Sequence, residues 1–434
     1  GVLGILRGVN EIKLGDAPKG TVLVARARTP SVTAGIVKEN IAGIITETGG
    51  TTSHSAILAR ALEIPAVLSV EGVASSLKNG DTVVVDGSEG AVIVNPDDNT
   101  VAEYSKKRDA FLAERKELEN YRGRETKSAS GEVYELFCNI GKPEDAVKAV
   151  DADGEGVGLF RTEFLFMDRT SIPTEDEQFE AYKKAALILK GKSLIIRTLD
   201  IGGDKDIPYL GLEKEENPFM GFRAIRYCLK NRELFKSQIK AILRASAFGD
   251  IKIMFPLITT MDELREGKKL VAECKADLRN MGINFNENIQ VGVMVETASA
   301  AVIADMLAKE ADFFSIGTND LTGYTMACDR GNNDVSYLYS PLQPSVLRMI
   351  KRTIECGVQN GISVGMCGEA AANKLMIPLL ISFGLTEFSV SAPSVLNVRK
   401  IISTWTKEEA DKVTAKVLEM STQQEIVEYL KSVV

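Results

Sequence analysis

The sequence is poor in side chains on which many kinds of site depend. It has one histidine and one tryptophan in 434 residues, and its six cysteines include no C-x-x-C pair. We therefore expect no zinc site of mixed cysteine and histidine ligands, and we read the cysteines as free thiols in a reducing cytoplasm. No apolar run approaches the roughly 18 residues of a membrane span, and no secretory signal peptide or Walker A sequence is found. With a net charge of -8 and no basic block, nucleic-acid binding is not expected either.

The one histidine, His54, lies in the stretch GGTTSHSAILAR. Gly49 and Gly50 allow a ligand to approach the backbone closely, and hydroxyl side chains flank the histidine. Ser55–Leu62 predicts a helix, so an anion on His54 would lie at a helix N-terminus, where free N–H groups and the dipole favour negative charge. The stretch alone leaves two interpretations open: a histidine that carries a phosphoryl group, or a helix cap beside an uninvolved histidine.

The sequence pattern of the N-terminal residues 1–97 predicts a small α/β domain with two short helices, one after Pro30 and one after His54. Residues 98–130 are dense in charge, and their apolar residues Tyr104, Phe111 and Leu118 recur every seven positions. Such a narrow stripe is typical of a solvated helical linker. The strands expected in the first domain are Thr21–Arg26, Ile41–Thr46, Pro65–Val70, Asp81–Asp86 and Ala91–Val94.

Residues 131–434 repeat a strand and helix pattern. Eight such units over roughly 270 residues are typical of a (β/α)₈ barrel. Two capping boxes, Thr260 to Glu263 and Thr406 to Glu409, predict helix starts. Two C-terminal helices, Thr406–Met420 and Thr422–Leu430, are expected on the barrel exterior. The expected barrel strands are Tyr134–Ile140, Val157–Arg161, Leu194–Asp200, Ile251–Leu257, Gln290–Glu296, Phe313–Asn319, Ser363–Gly368 and Glu387–Ser391.

In barrels of this kind the chemistry lies at the C-terminal strand ends. Glu296 and Asp320 end two consecutive expected strands, which suits a hard cation such as Mg²⁺. Four arginines are expected at the same mouth and suit a phosphate, although any one of them could form only a salt bridge at the rim. These are Arg161, Arg197, Arg223 and Arg330. Cys367, at another strand end, is either a small core residue or a general acid.

Several long motifs resemble a known family. GGTTSHSAILAR resembles the phosphohistidine signature of enzymes that use phosphoenolpyruvate (PEP), and FFSIGTNDLTGYTMACDRG resembles their second signature. LFRTEFLFMDR, LIIRTLDIGGDK, NPFMGFRAIR, MFPLI, GVMVE and GMCGE follow in the order found in the Enzyme I family of the bacterial PEP:sugar phosphotransferase system. Pyruvate phosphate dikinase and PEP synthase share the architecture, but the run of motifs is more similar to Enzyme I.

The resemblance implies a role for each matching residue. His54 would be phosphorylated, Glu296 and Asp320 would bind Mg²⁺, and Cys367 would protonate the enolate of pyruvate. Thr29 and Arg60 would line the phosphohistidine. The implied PEP-binding residues are Arg161, Arg197, Arg223, Arg330 and Asn319, with the backbone at Asn319 and Asp320 meeting the PEP carboxylate.

The chain also departs from the family pattern. Gly323 stands where the family usually has a polar residue, commonly glutamine. We expect this departure to be tolerated, although it could loosen the loop after the sixth barrel strand. The family's helical domain that docks the histidine-containing phosphocarrier protein, and a first stretch of the phosphohistidine domain, are expected to be absent, which could leave a sheet edge unpaired. The resemblance further implies a cytoplasmic homodimer joined through the barrel. Two alternatives remain: a truncated form that phosphorylates itself without passing phosphate on, and a non-catalytic, dimeric PEP-binding module.

Overall fold

The computed structural model describes residues 2–7, 17–25, 38–48, 55–56, 59, 62–202 and 207–434, and at 2–7 and 38 it describes the backbone. It divides into two compact units, Gly1–Asn120 and Tyr121–Val434. In the described residues no helix is both long enough and apolar enough to cross a bilayer.

The first unit contains a six-stranded sheet in the order β4-β3-β2-β1-β5-β6. β1 was not expected from the sequence, yet it lies in the middle of the sheet, parallel to β2 and antiparallel to β5. β4 is shorter than expected because Ser69 adopts a left-handed conformation (φ 59) just beyond it. The strands are β1 Val2–Arg7, β2 Thr21–Ala25, β3 Ile41–Thr46, β4 Ala66–Val67, β5 Thr82–Asp86 and β6 Ala91–Val94.

Two helices of this unit are described in full, α1 Val73–Ser76 and α2 Asp98–Leu118. The side chain of Asp97 caps α2 by accepting the N–H of Thr100 at 2.7 Å. No side chain of α2 is buried, and Phe111 is 55% exposed. The helix expected to be solvated is therefore solvent-exposed along its length.

The expected eight-stranded barrel is confirmed. All eight strands are parallel, and the last strand, β14, pairs with the first, β7, to close the ring. Several strands end earlier than expected: β12 stops at Ile316, and Thr318 already begins a helix. The strands are β7 Glu135–Ile140, β8 Gly156–Arg161, β9 Ser193–Arg197, β10 Ile251–Phe255, β11 Val291–Val295, β12 Phe313–Ile316, β13 Ser363–Met366 and β14 Glu387–Val390.

Helices cover the barrel, and both expected capping boxes are formed. The C-terminal helix α14 packs against α12, as expected for an exterior element. The helices are α3 Asp145–Asp151, α4 Glu175–Leu189, α5 Ile225–Lys230, α6 Arg232–Ala245, α7 Met261–Asn280, α8 Ala298–Val302, α9 Ala304–Leu307, α10 Thr318–Met326, α11 Pro344–Gln359, α12 Ile377–Phe383, α13 Val395–Thr404, α14 Lys407–Val417 and α15 Gln423–Val433.

Candidate functional site

The phosphohistidine stretch is only partly described. His54, Thr29 and Arg60 lie outside the described residues. Within the expected helix Ser55–Leu62, the described positions 55, 56, 59 and 62 are helical.

The barrel mouth begins with two neighbouring arginines. Arg161 ends β8 and Arg197 ends β9, and the two residues are partners in the strand register. Arg161 is exposed, and its guanidinium lies over the ring of Phe164, 5.5 Å from the ring centre. Arg197 is only 7% exposed. Because parallel strands of a barrel end at one face, both arginines belong to the C-terminal mouth.

Two carboxylates hold Arg197. Its Nη2 donates to Glu163 Oε1 at 2.7 Å, and its Nη1 lies 3.4 Å from Asp200 Oδ2. Burial by itself would lower the pKa of Arg197, but the negative charges of Glu163 and Asp200 outweigh burial and raise that pKa. The guanidinium therefore stays charged. Its Nε–H has no hydrogen-bond partner within the described part of the chain.

Arg223 is held in a similar way. Its Nη2 donates to Asp200 Oδ1 at 3.0 Å and to Asp320 Oδ2 at 3.2 Å, and its Nη1 donates to Tyr324 Oη at 3.1 Å. Its buried Nε–H also lacks a partner among the described residues. The approach of Arg223 depends on Gly202, since a Cβ there would lie 2.5 Å from Arg223 Cβ and the φ of +104° also favours glycine.

Glu296 is a buried carboxyl group beside other acids. It is 2% exposed, and its Oε1 accepts the N–H of Leu257 at 2.6 Å. Leu257 makes this bond in a left-handed conformation, with φ 56. Burial, followed by the negative charges of Asp320 and Asp200, raises the pKa of Glu296 well above its usual value. A cation at this position would relieve that repulsion.

The sequence predicts Asn319 and Asp320 at the end of a strand. In the structure they lie in the first turn of α10 instead. The hydroxyl of Thr318 is buried there without a partner among the described residues. A Cβ at Gly368 would lie 1.8 Å from Thr318 Oγ1, so this contact requires glycine. Helix N-termini leave N–H groups available for an anion.

The rim of the mouth carries Arg330, whose side chain is 57% exposed and lies 3.0 Å from Glu369 Oε1. Tyr339 connects this rim to α10 by donating to the carbonyl of Asn319 at 2.8 Å. Burial raises the pKa of Tyr339 to about 12, while Arg330 opposes the rise and Asp320 adds to it. Arg330 and Asp320 therefore lie within electrostatic reach of the same phenol.

Gly323 lies inside α10 and not in a loop. A Cβ there would be 3.3 Å from the carbonyl oxygen of Cys328, and the N–H of Cys328 bonds back to the carbonyl of Gly323 at 3.0 Å. Gly323 therefore lies beside a close turn at the end of α10, and not in the loop that it could have loosened.

Cys367 follows β13 and is 7% exposed, packed with Met294 and Phe313 inside the barrel. Burial raises the pKa of its thiol to about 11. Its carbonyl accepts a hydrogen bond from Asn139 Nδ2 at 3.0 Å, and Asn139 Oδ1 accepts from Ser389 Oγ at 2.6 Å. The thiol is therefore both a well-packed interior group and one that keeps its proton at neutral pH.

The structure brings Arg197 and Arg223 onto one carboxylate, Asp200, and brings Asp320 Oδ2 within 3.2 Å of Arg223 Nη2. Arg161 and Arg330 lie at the rim of the mouth. Among the described residues, neither has a hydrogen bond or ion pair to Asp200 or Asp320. The described residues contain no group of three or more histidine, cysteine, aspartate or glutamate side chains that could hold a metal ion.

Sequence reasoning assigned no role to several residues of this site. Glu163 and Asp200 closely follow the strand-end arginines and could have been selected as their partners. Tyr324 lies inside the second signature, yet its importance depends on a contact with Arg223, 101 positions away. Tyr339 carries no pattern that distinguishes it, because its importance depends on a contact with Asn319, 20 positions away.

Comparisons with known proteins identify the family of this chain. The PEP-binding domain of the PEP-utilising enzymes matches residues 115–406, and their mobile domain matches residues 17–90. The phosphoenolpyruvate-protein phosphotransferase of Bacillus subtilis is 49% identical over 430 residues, covering 99% of this chain and 75% of that protein. The phosphoenolpyruvate-protein phosphotransferase of Staphylococcus carnosus is 46% identical over 430 residues, covering 99% of this chain and 75% of that protein. A solution NMR structure of Enzyme I has 50% sequence identity over 23% of this chain and 41% of that chain, with a TM-score of 0.22. The chain therefore belongs to the PEP-utilising enzymes, and within them to the phosphoenolpyruvate-protein phosphotransferases.

Proposed function

We propose that this chain transfers the phosphoryl group of PEP to His54, releases pyruvate, and normally passes the phosphoryl group to a histidine phosphocarrier protein for sugar uptake. The observation that carries the proposal is the pair of buried arginines, Arg197 and Arg223, each with an unpartnered Nε–H among the described residues, beside the carboxylates Glu296 and Asp320. The arginine N–H groups can donate to an anion, and the neighbouring carboxylates can bind a cation. Together they suit a phosphate that is bound to a metal ion.

The arginines would bind PEP by charge and shape. A guanidinium fork matches the oxygens of a phosphate or a carboxylate, and buried donors act with little competition from water. Arg161 and Arg330, at the rim, would complete the arginine set. Asn319 and the free N–H groups at the start of α10 would receive the PEP carboxylate.

The oxygen ligands at the mouth fit Mg²⁺. Mg²⁺ is usually held by one or two carboxylates together with substrate phosphate oxygens, so the absence of a described three-residue metal cluster is compatible with it. Glu296 and Asp320 would hold the ion, and their mutual repulsion, seen in the raised pKa of Glu296, would be relieved. When bound, the ion would offset the negative charge of the phosphate.

The transfer itself requires little covalent chemistry from the barrel. A ring nitrogen of His54 would form a bond to phosphorus as the bond from phosphorus to the enol oxygen breaks and its electron pair stays on that oxygen. The transition state is loose, so positioning and charge neutralisation dominate. Cys367 would then donate its proton to the methylene carbon of the enolate, forming pyruvate, and regain a proton from solvent. A thiol with a pKa of about 11 holds the proton that this step needs.

The two parts of the chain would divide this work. We assign residues 1–97 to the phosphohistidine domain, with Thr29 and Arg60 around His54, residues 98–130 to a helical linker that lets the histidine travel, and residues 131–434 to the PEP-binding barrel. The six free cysteines agree with a cytoplasmic location. A homodimer through the barrel remains part of the proposal.

The direct test is to incubate the chain with Mg²⁺ and PEP labelled in its phosphate. We expect acid-labile label on His54 and an equal amount of pyruvate, with neither in the His54→Ala variant or after removal of Mg²⁺ by EDTA. Label that persists in the His54→Ala variant would contradict the assignment. Normal PEP binding without pyruvate release would favour the non-catalytic module.

Onward transfer needs a separate experiment. Phosphorylated chain is mixed with histidine phosphocarrier protein, and label on each protein is followed with time. Transfer of label to the carrier protein would support onward transfer. Label that stays on the chain would favour the alternative in which the chain phosphorylates itself without passing phosphate on.

A further inference from the structure

A set of fully buried polar side chains lies behind the arginines of the barrel mouth. Gln238, in α6, is 0% exposed, and Thr162 and Tyr182 are buried to the same degree. Nothing in the proposed reaction uses them. Because buried polar groups are retained where hydrogen bonds satisfy them, their partners indicate what they hold in place.

Gln238 joins the ends of two neighbouring strands. Its Oε1 accepts the N–H of Leu199 at 2.8 Å, just beyond Arg197. Its Nε2 donates to Thr162 Oγ1 at 3.0 Å, directly after Arg161. Thr162 Oγ1 in turn donates to the carbonyl of Arg197 at 2.7 Å, which links the two strand ends to each other as well.

The hydrogen bonds permit only one orientation of the Gln238 amide. Its Nε2 also donates to Tyr182 Oη at 3.2 Å, and Tyr182 donates to Gln178 Oε1 at 3.2 Å. Gln178 Nε2 then donates to the carbonyl of Pro173 at 3.2 Å. Turning the amide of Gln238 over would set its NH₂ group against the N–H of Leu199, two donors facing each other. The bonds of Gln238 to Leu199 and Thr162 therefore depend on this one amide orientation.

We propose that Gln238 is a positioning residue for PEP binding: it holds Arg161–Glu163 against Arg197–Asp200, so that the two arginines face one substrate phosphate. Gln238 itself touches neither substrate nor reacting atoms. The inference rests on the proposed function. Since a misplacement of about 1 Å can cost roughly 100-fold in rate, we expect losing this link to cost about 10- to 100-fold.

The first test replaces the amide by an apolar side chain of similar size, Gln238→Leu. PEP affinity is measured by calorimetry with Mg²⁺ in a His54→Ala background, where no PEP is consumed, and the rate of His54 phosphorylation is measured in the chain with its histidine. We expect both to fall by about 10- to 100-fold while the circular dichroism spectrum stays that of a folded protein.

The second test uses pH to separate positioning from simple packing. In Gln238→Glu, a protonated carboxyl keeps one donor and one acceptor, whereas an ionised one has no donor for Thr162 or Tyr182. Tyr182 is the titratable side chain hydrogen-bonded at this position. At each pH, the PEP affinity of Gln238→Glu is compared with that of the chain that keeps Gln238. The affinity of Gln238→Glu should approach that of the unchanged chain as the pH falls. The affinity of Gln238→Leu should show no such recovery.

Ile242→Ala, a cavity variant one turn along α6, is the matched control. It should lower the melting temperature and leave PEP affinity within twofold of the unchanged chain. Unchanged PEP affinity and phosphorylation in Gln238→Leu, or an equal loss in Ile242→Ala, would overturn the inference. If the unchanged chain itself takes no phosphate from PEP, the proposed function fails instead.

Discussion

At the scale of residues, burial raises the pKa of two interior side chains of the barrel. Cys367, near the mouth, has a pKa of about 11. Glu387, at the start of β14, has its pKa raised to about 8 by burial and then by Glu135, with Lys252 opposing the rise. Its carboxyl group occupies space that a side chain at Gly158 would fill, since a Cβ there would lie 2.4 Å from Glu387 Oε1. The two groups lead to different predictions.

Cys367→Ala should slow pyruvate formation by about 100- to 10,000-fold, the usual contribution of a general acid, while leaving PEP affinity nearly unchanged. Steady-state pyruvate release with carrier protein or single-turnover release without it measures the rate, and calorimetry measures affinity. The matched control is Cys356→Ala, which removes another buried thiol, located in α11. Equal rates in the two variants would exclude Cys367 as the acid.

Glu387→Gln should change how stability depends on pH. The folded protein holds this proton up to about pH 8, whereas the unfolded chain releases it near the usual value of 4.5, so the free energy of unfolding falls as pH rises through this window and is level above it. A glutamine at this position has no proton to release, so the free energy of unfolding of the variant does not fall for this reason. Urea unfolding at pH 5, 7 and 9 should show the variant gaining on the unchanged chain by an amount on the order of 3 kcal/mol between pH 5 and 9.

An exposed carboxyl serves as the control for that measurement. Glu408→Gln removes a side chain that is 80% exposed and should show no gain with pH. A difference between Glu387→Gln and the unchanged chain that stays constant from pH 5 to 9 would mean that Glu387 is ionised in the folded protein.

At the scale of elements, α13 is tied to the start of the second unit by Arg399. This buried side chain donates through Nε to Thr126 Oγ1 at 3.0 Å, through Nη1 to the carbonyl of Tyr121 at 3.2 Å, and through Nη2 to Glu155 Oε2 at 3.1 Å. It also forms an ion pair with Asp153. One arginine therefore joins the segment that enters the barrel to the turn before β8.

Arg399→Met should destabilise the protein by roughly 2–4 kcal/mol, because it leaves partly buried carboxylates and carbonyls without their donor. We discount the larger values known for fully buried pairs, since Asp153 and Glu155 are about one-third exposed. Urea unfolding measures the change. Lys412→Met, which breaks an exposed ion pair in α14, should cost less than about 0.5 kcal/mol. Equal costs would mean that Arg399 is not an anchor.

At the scale of the whole molecule, the second unit holds everything that we assign to PEP binding. Its main hydrophobic core runs from Tyr134 to Leu430 and involves residues of that unit only. The arginines, carboxylates and buried thiol of the mouth lie in the same unit. The phosphoryl acceptor His54, with Thr29 and Arg60 that we assign around it, belongs to the first unit.

Residues 121–434 produced as a separate chain should therefore fold cooperatively and bind PEP with Mg²⁺ within about threefold of the affinity of the whole chain, yet take no phosphate from it. Thermal unfolding, calorimetry and labelled PEP measure these three properties. A fragment that fails to fold, or that folds and does not bind PEP, would show that the first unit contributes to the barrel or its mouth.

The local sequence pattern was enough to predict the barrel. Alternating apolar runs, turn residues and capping boxes specify strands and helices over a few neighbouring residues, and eight such repeats leave few alternatives. The same local reasoning missed β1, a short apolar run whose pairing with β2 and β5 makes it central. It also extended β12 into α10, because an apolar strand followed by a capping turn does not mark its own last residue.

By itself, the sequence indicated which residues we assign to the proposed chemistry, since the motifs around His54, Glu296, Asp320 and the arginines are contiguous in the chain. Only the tertiary structure decided how the mouth is held together. Arg223 meets Asp320 across 97 positions of the chain, and Gln238 meets Thr162 across 76. Such contacts, and the raised pKa values that burial produces, depend on which elements pack together, a property that no local stretch of sequence contains.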